Sequence, residues 1–198
     1  MKIILVLVSA SNQEKSTIKR SDLKILIQKM IVILHNIRSM NNVGSVFRTA
    51  DAAGCEKIYL CGITPSPFDK FGRQRQQITK VSLGAESYVK WEYFKSTARL
   101  IDKLKKDGYK ILAIEQTKKS IPYFSLSFPP ASPRLGRRKR ESRKLALVLG
   151  NEIKGLPSSI SNRADKILEI PMKGKKESLN VAVAFGIIAF HLLNQTLD

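Results

Sequence analysis

Five short runs of β-branched and aliphatic residues, separated by helical patterns, constrain the fold of this chain more than any other feature. They read IVILHN, KIYLCGI, YKILAIEQ, KLALVLGN and KILEIPM, at 31–36, 57–63, 109–116, 144–151 and 166–172. Continuous apolar runs of this length indicate strands buried on both faces, which are typical of a parallel sheet. The sequence therefore predicts an α/β fold in which helices flank a mainly parallel sheet.

The segments between these runs predict the helices. One helix is expected from Asn42, because Val43, Val46, Phe47, Ala50 and Ala53 recur at the spacing of one apolar face. Asn41 or Asn42 can cap its first turn, and Gly54 suits the position after its last turn. Further patterns predict a helix over 93–106, a short turn over 157–161 and a last helix over 178–193.

The last predicted helix is unusual because its sequence, SLNVAVAFGIIAFHLL, is apolar nearly all round. A helix of this kind is buried on most of its surface. We expect it to pack in the core or against a second subunit.

The charge balance indicates the class of partner. Lysine and arginine number 35 against 16 acidic residues, which gives a net charge of +19 over 198 residues. Such a chain favours a polyanion, because cationic side chains release the counterions of a phosphate backbone. Nucleic acid is favoured over an anionic membrane surface, since no amphipathic helix with a basic face and exposed aromatic residues stands out.

Length and cysteine usage limit the organisation further. The hydrophobic fraction of 43% is enough for one domain with a full core. Cys55 and Cys61 have no metal-ligand partners at a recognised spacing, so we interpret both as buried residues in a reducing cytoplasm and expect no metal site. We also expect no association with a membrane. Residues 1–30 are expected to form an N-terminal extension before a domain over 31–198, with Met30 as an alternative start of the chain. The apolar run in MKIILVLVS is short for a signal peptide.

Two basic stretches interrupt the strand and helix pattern. The first, 68–80, combines two phenylalanines with Lys70, Arg73, Arg75 and Lys80. The second, 129–144, contains the run Arg137, Arg138, Lys139 and Arg140. Either stretch could be a solvated or disordered surface arm. The overall charge favours contact with RNA phosphates.

Three polar clusters follow predicted strands. They are NIRSMNNVGSVFR after the first strand, GNEIKGLP after the fourth and IPMKGKKESLN after the fifth. In open α/β sheets, ligands bind beyond these strand ends. The common glycine-rich nucleotide-binding motifs and the nucleophile elbow are absent from the sequence, and His35 and His191 are too few to indicate a triad or a metal site.

The three clusters resemble the motifs of the SpoU/TrmH family of RNA ribose 2′-O-methyltransferases, within the SPOUT superfamily. The first motif, N-x-x-x-x-x-R-T-A-D-A-x-G, is matched by Asn42, Arg48, Thr49, Ala50, Asp51, Ala52 and Gly54. LGNEIKGLP matches the second motif and IPMKGKKESLNVAVA the third. The resemblance extends over about residues 31–198.

The resemblance implies a deep trefoil knot near the C-terminus, a homodimer, and S-adenosylmethionine as the cofactor. It implies that the substrate is a ribose 2′-hydroxyl of tRNA or rRNA. Residues near the cofactor would be Glu115, Gly150, Ile170, Met172 and Leu179, with Glu115 at a position where the family has a small polar residue.

The resemblance also implies the catalytic residues, which are Asn42, Arg48, Glu152, Ser178 and Asn180. We expect Arg48 to contact an RNA phosphate and to polarise the 2′-hydroxyl, because a guanidinium stays protonated and is a poor general base. An ion pair with a surface acid such as Asp51 is the structural alternative for Arg48. For Asn42, Ser178 and Asn180 the structural alternative is helix capping, and for Glu152 it is an exposed acid.

Two other functions stay open at this point. One is a non-catalytic RNA-binding or ribosome-assembly protein that kept the fold. The other is a methyltransferase that modifies a base. The complete polar set argues against the first, and the arginine of the first motif argues against the second.

Overall fold

The computed structural model describes residues 29–126 and 144–194, and its centre is a seven-stranded sheet. The strands are β1 (Lys29–His35), β2 (Lys57–Cys61), β3 (Lys90–Phe94), β4 (Lys110–Ile114), β5 (Ile121–Pro122), β6 (Lys144–Leu149) and β7 (Lys166–Glu169). Their order is β3-β2-β1-β6-β4-β7-β5, and every neighbouring pair is parallel. The predicted parallel α/β fold is confirmed.

Six helices lie between or after the strands within the described residues. They are α1 (Met40–Ala52), α2 (Gln76–Ser82), α3 (Ala85–Tyr88), α4 (Thr97–Lys106), α5 (Ser158–Ser161) and α6 (Val181–Asn194). A 3-10 turn follows β5 at Tyr123–Ser125.

The sheet separates two apolar layers, as alternation along a strand requires. Val32 and Leu34 of β1 face the larger layer, which α1 and α6 cover, whereas Ile31 and Ile33 face the smaller layer, which α4 and α5 cover. The five predicted positions of the apolar face of α1 are all buried, as expected. Gly54 follows α1 in a left-handed conformation with φ +67°, which also agrees with the prediction.

Two local predictions are wrong. The N-cap of α1 is Ser39 rather than Asn41 or Asn42, since the Ser39 hydroxyl accepts the N–H of Asn42 at 3.3 Å. The helix predicted over 93–106 begins only at Thr97, after the edge strand β3. β3 pairs on one side alone and keeps polar residues on its exposed positions, so it lacks the continuous apolar run by which the central strands were recognised.

The first basic stretch is a loop only in part, because α2 begins at Gln76 and carries Lys80. α2 packs closely on α1 at Gly44, where an added Cβ would lie 2.6 Å from the carbonyl oxygen of Ile78. The second basic stretch is followed by β6, which begins at Lys144 as the strand pattern predicted. Its run Arg137, Arg138, Lys139 and Arg140, and almost all of the predicted extension 1–30, lie outside the described residues.

Candidate active site

A cavity of about 510 Å³ opens beyond the carboxyl ends of β4, β6 and β7. The strand order places β6 between β1 and β4, so the loops that follow these strands meet at one edge of the sheet. Of the predicted catalytic and cofactor-binding residues, all but Arg48 line the cavity: Asn42, Glu115, Gly150, Glu152, Ile170, Met172, Ser178, Leu179 and Asn180. The three sequence motifs thus converge on one space.

A chain of hydrogen bonds joins the three motifs at this cavity. Asn180 Nδ2 donates to Asn42 Oδ1 at 2.9 Å, and Asn42 Nδ2 donates to Glu152 Oε1 at 2.9 Å. Asn180 Oδ1 accepts the N–H of Ala182 at 2.9 Å and so caps α6. Each amide is therefore held in one orientation, and Asn180 serves both as the predicted cap and as a link between loops.

Glu152 is more than an exposed acid, because both of its carboxylate oxygens are engaged. Oε2 accepts the N–H of Arg38 and Oε1 that of Ser39, each at 3.0 Å. Partial burial raises the pKa of Glu152, but the hydrogen bonds from Arg38, Ser39 and Asn42 outweigh burial and hold this pKa below its ordinary value. The side chain is thus ionised at neutral pH and fixes the loop that leads into α1.

The loop 150–156 is a compact turn. Asn151 and Gly155 exchange backbone hydrogen bonds of 3.2 and 2.9 Å, and Asn151 Oδ1 accepts the N–H groups of Ile153 and Lys154. A Cβ at Gly150 would lie 2.5 Å from the carbonyl carbon of Gly155. Glycine at 150 is therefore required by the closure of the loop on itself.

Glu115 holds the same loop from the end of β4. Its Oε2 accepts the N–H of Leu156 at 2.6 Å, and Oε1 accepts that of Gln116 at 3.1 Å. Gly155, at φ +61°, faces this carboxylate so closely that an added Cβ would lie 2.3 Å from Oε2. The acid at this position thus supports the wall of the cavity.

Sequence reasoning missed Asn36 as a site residue. Its backbone carbonyl accepts Asn151 Nδ2 at 2.7 Å, and its side-chain Oδ1 accepts the N–H of Ile63 at 3.1 Å. Asn36 adopts the left-handed conformation with φ +56°. An asparagine directly after a buried strand was the available signal, because asparagine tolerates this conformation better than most residues.

Arg48 lies apart from the other predicted catalytic residues. It is exposed on α1, six residues after Asn42, which places it about 9 Å along the helix and about 120° around its axis. No ion pair joins it to Asp51 in the part of the chain that the structure describes. Among residues 29–126 and 144–194, no ion pair supports the structural alternative for Arg48.

The basic loop before α2 is organised by Asp69. Its carboxylate accepts the N–H groups of Phe71 and Arg73, and Arg73 Nε forms an ion pair with it at 2.9 Å. The cationic groups of Lys70 and Arg73 lie 4.9 and 5.0 Å from the ring centroid of Phe71. Arg75 is partly buried at the start of α2.

The lining of the cavity fits a nucleoside that carries a cationic sulfonium. Apolar side chains of Ile114, Leu168 and Ile170 offer a surface for an aromatic ring, while the carboxylates of Glu115, Glu152 and Glu169 make the cavity acidic. In a chain of net charge +19, an acidic cavity favours a cation. These features fit S-adenosylmethionine.

Other site classes have little support in the described part of the chain. Within residues 29–126 and 144–194, no three His, Cys, Asp or Glu side chains lie close enough to hold a metal ion. No helix in the same ranges has the length and apolar character that crossing a membrane requires.

The profile of the SpoU rRNA Methylase family matches residues 29–190. The chain belongs to this family. The family and the enzyme class predicted from the three motifs are confirmed, since the match includes every motif.

Individual relatives that resemble this chain are also named as methyltransferases. A protein of Archaeoglobus fulgidus named an uncharacterized tRNA/rRNA methyltransferase is 28% identical over 92% of this chain and 75% of its own length. The tRNA (guanosine(18)-2′-O)-methyltransferase of Borreliella burgdorferi is 26% identical over 98% of this chain and 79% of its own.

Solved structures of the SpoU family share the fold. The TrmH/SpoU tRNA modifying enzyme of A. aeolicus superimposes with a TM-score of 0.68 at 26% identity, over 87% of this chain and 79% of its own. The AdoMet-bound rRNA methyltransferase of Sinorhizobium meliloti gives a TM-score of 0.69 at 25% identity, over 86% of this chain and 57% of its own.

Proposed function

We propose that this SpoU family protein transfers a methyl group from S-adenosylmethionine to a ribose 2′-hydroxyl of tRNA or rRNA. One observation carries the proposal: the hydrogen-bond chain Asn180–Asn42–Glu152 unites three motifs at the mouth of an acidic cavity. A protein that only binds RNA has no need for such a chain around a nucleoside-sized cavity.

The bound cofactor supplies the electrophilic methyl group. The residues of the chain position the other reactant, because methyl transfer requires the hydroxyl oxygen in line with the breaking bond. Asn42 and Asn180 are held by each other and by Glu152, so their amides can orient the ribose without rearranging. Ser178 lines the same cavity and adds a hydroxyl on the side of α6.

Arg48 is proposed to bind the phosphate beside the target ribose and to polarise the 2′-hydroxyl. A guanidinium remains protonated, so it stabilises the developing alkoxide while a phosphate oxygen or water accepts the proton. Its exposed position on α1 supports contact with a bound RNA strand. Arg48→Lys keeps the charge and loses the two parallel donors, so unchanged methyl transfer in this variant would contradict the role.

RNA binding is proposed to come mainly from basic residues of the two basic stretches, 68–80 and 129–144. Lys70, Arg73 and Arg75 precede α2, and Arg137, Arg138, Lys139 and Arg140 precede β6. Replacing the latter four by serine should weaken RNA binding and flatten its salt dependence, while cofactor affinity stays unchanged. Such a replacement leaves β6 intact, whereas a deletion that includes Lys144 would remove the first residue of the strand.

A homodimer is proposed through the exposed face of α6. An apolar stripe runs along this helix, formed by Val183, Ile187 and Phe190, which are 50, 36 and 43% exposed, and Leu179, just before the helix, is 41% exposed. A continuous stripe of this kind marks an interaction site, and a two-fold axis would pair it with its own copy. The trefoil knot and the cytoplasmic location remain predictions.

Methyl incorporation tests the function. Purified protein, radiolabelled S-adenosylmethionine and unfractionated tRNA or ribosomal RNA should yield labelled RNA whose dinucleotides resist alkaline cleavage at the modified ribose. Label in alkali-sensitive mononucleotides would instead support the base-modifying alternative. Cofactor and RNA binding without incorporation into any RNA would support the non-catalytic alternative.

A further inference from the structure

A second cavity, of about 910 Å³, opens at the same edge of the sheet, beyond the carboxyl ends of β1, β2 and β3. Its walls include His35, Gly62 and Phe94 at the ends of these strands, and the first turn of α4. The volume lies at the upper end of the about 300–1,000 Å³ that is usual for small-ligand sites. None of the three sequence motifs explains this cavity.

The two cavities are neighbours. Asn36 lines the second cavity and Asn151 lines the first, and the hydrogen bond from Asn151 Nδ2 to the carbonyl of Asn36 is 2.7 Å long. The two cavities therefore meet at this pair of residues.

The charge of the second cavity is positive. Lys95 and Arg99 are exposed at its rim, and neither forms an ion pair within the described residues. Glu92 also lines it, but its carboxylate is neutralised by Lys57 at 2.6 Å. An occupant that carries a phosphate would find two unpaired cations.

An aromatic residue also lines this cavity. Tyr93 is half exposed, and its hydroxyl donates to the carbonyl of Gly62 at 2.8 Å, which holds the ring in place. An exposed aromatic ring and cations in one cavity form a combination by which proteins bind unpaired nucleotides, because every base has a face that can stack.

Polar groups deeper in the cavity are already paired. His35 Nδ1 is 2.7 Å from Thr97 Oγ1 and its Nε2 is 3.1 Å from Asn36 Nδ2, and burial lowers the pKa of this imidazole. His35 is therefore a neutral part of the wall, and the free binding groups of the cavity are the aromatic ring and the cations at its rim.

We propose that the second cavity binds one unpaired nucleotide of the substrate RNA, next to the nucleotide that is methylated. The base stacks on Tyr93, and its phosphate lies against Lys95 and Arg99. This inference rests on the proposed function, since it takes RNA as the substrate.

Equilibrium binding of fluorescein-labelled unfractionated tRNA tests the proposal. Tyr93→Ala should weaken binding by about tenfold, within the range that stacking of one base contributes, and Tyr93→Phe should weaken it less, because the ring is kept although its hydrogen bond to Gly62 is lost. The double change Lys95→Gln and Arg99→Gln should lower the salt slope by about 1.4, as expected when two contacts to a single strand are lost.

Matched variants make the result specific. Lys106→Gln removes a charge from the opposite end of α4, and Tyr88→Ala removes an exposed tyrosine outside both cavities. Both variants should keep an RNA affinity within about twofold of the wild type. For Lys106→Gln, the comparison of salt slopes takes into account the one charge that the substitution removes. S-adenosylmethionine affinity, measured by calorimetry, should be unchanged in all variants.

Equal RNA affinity in Tyr93→Ala and Tyr88→Ala would overturn the proposal while methylation by the wild type still stood. Saturable binding of a free 5′-mononucleotide with unchanged RNA affinity in the variants would also overturn it, because the cavity would then serve a separate small ligand. Failure of the wild type to methylate any RNA would instead remove the proposed function on which the inference rests.

Discussion

Asn42 and Asn180 lie 138 residues apart in the sequence and are joined by a hydrogen bond of 2.9 Å between their side-chain amides. The bond orients both amides, because each makes a second hydrogen bond: Asn42 to the carboxylate of Glu152 and Asn180 to the backbone of α6. The beginnings of α1 and α6 are thereby fixed relative to each other at the mouth of the first cavity.

Asn180→Ser separates capping from orientation. Serine keeps an oxygen that can cap α6, so the free energy of unfolding should change by less than about 1 kcal/mol. The amide donor to Asn42 is lost, so we expect kcat for methyl transfer to fall by about tenfold or more, as is typical when a positioning group is removed. Chemical denaturation and initial rates measure the two effects. A similar loss of activity in Asn180→Ser and Asn180→Ala would support the role of the Asn180 amide in positioning Asn42. Full activity in Asn180→Ser would contradict this role.

Glu152 should make stability depend on pH in the acid range. Its pKa is lowered in the folded protein, so its stabilising effect is fully present above the pKa of an unfolded glutamate and is lost as pH falls through the folded pKa. Glu152→Gln removes the charge and should abolish this contribution. Thermal unfolding from neutral to acid pH should therefore show a gap between wild type and variant that closes in acid. A gap that stays constant would show that the carboxylate charge is not involved.

Gly155→Ala should disturb the loop 150–156. The new Cβ would meet Glu115 Oε2 at 2.3 Å, and the residue would keep φ +61°, which is unfavourable for alanine. We expect the affinity for S-adenosylmethionine to fall by about tenfold, since the strain of about 1–3 kcal/mol acts on a wall of the cavity. Gly108→Ala is the matched control because Gly108 also has a positive φ, +82°, lies outside the cavity lining, and an added Cβ there meets nothing within 4 Å. Calorimetry that finds equal affinities in the two variants would contradict the role of this loop.

Ile187→Glu should convert the proposed dimer into a monomer. A carboxylate in the middle of the apolar stripe on α6 would be buried without a partner in a symmetric interface, where it would also meet its own copy. Sedimentation measures the mass in solution. Leu83→Glu introduces the same charge at an apolar side chain that is 65% exposed and remote from α6, so it should leave the mass unchanged. A monomeric wild type would rule out the interface.

The local pattern of the sequence was sufficient to predict the five central strands and the buried face of α1. Their signal is burial itself, because a strand covered on both faces has to be continuously apolar and a helix on a sheet has to repeat its apolar residues. The motifs were sufficient to predict the family and most of the residues that line the first cavity. They belong to loops whose local sequences already contain the polar side chains of the site.

Other features depended on contacts between distant segments. The edge strand β3 replaced the start of a predicted helix, and Glu115 proved to support the loop 150–156. Such facts follow from the order β3-β2-β1-β6-β4-β7-β5, which decides the strand ends that become neighbours. No pattern within a single segment encodes that order, because it is set by the free energy of packing the whole sheet against its helices.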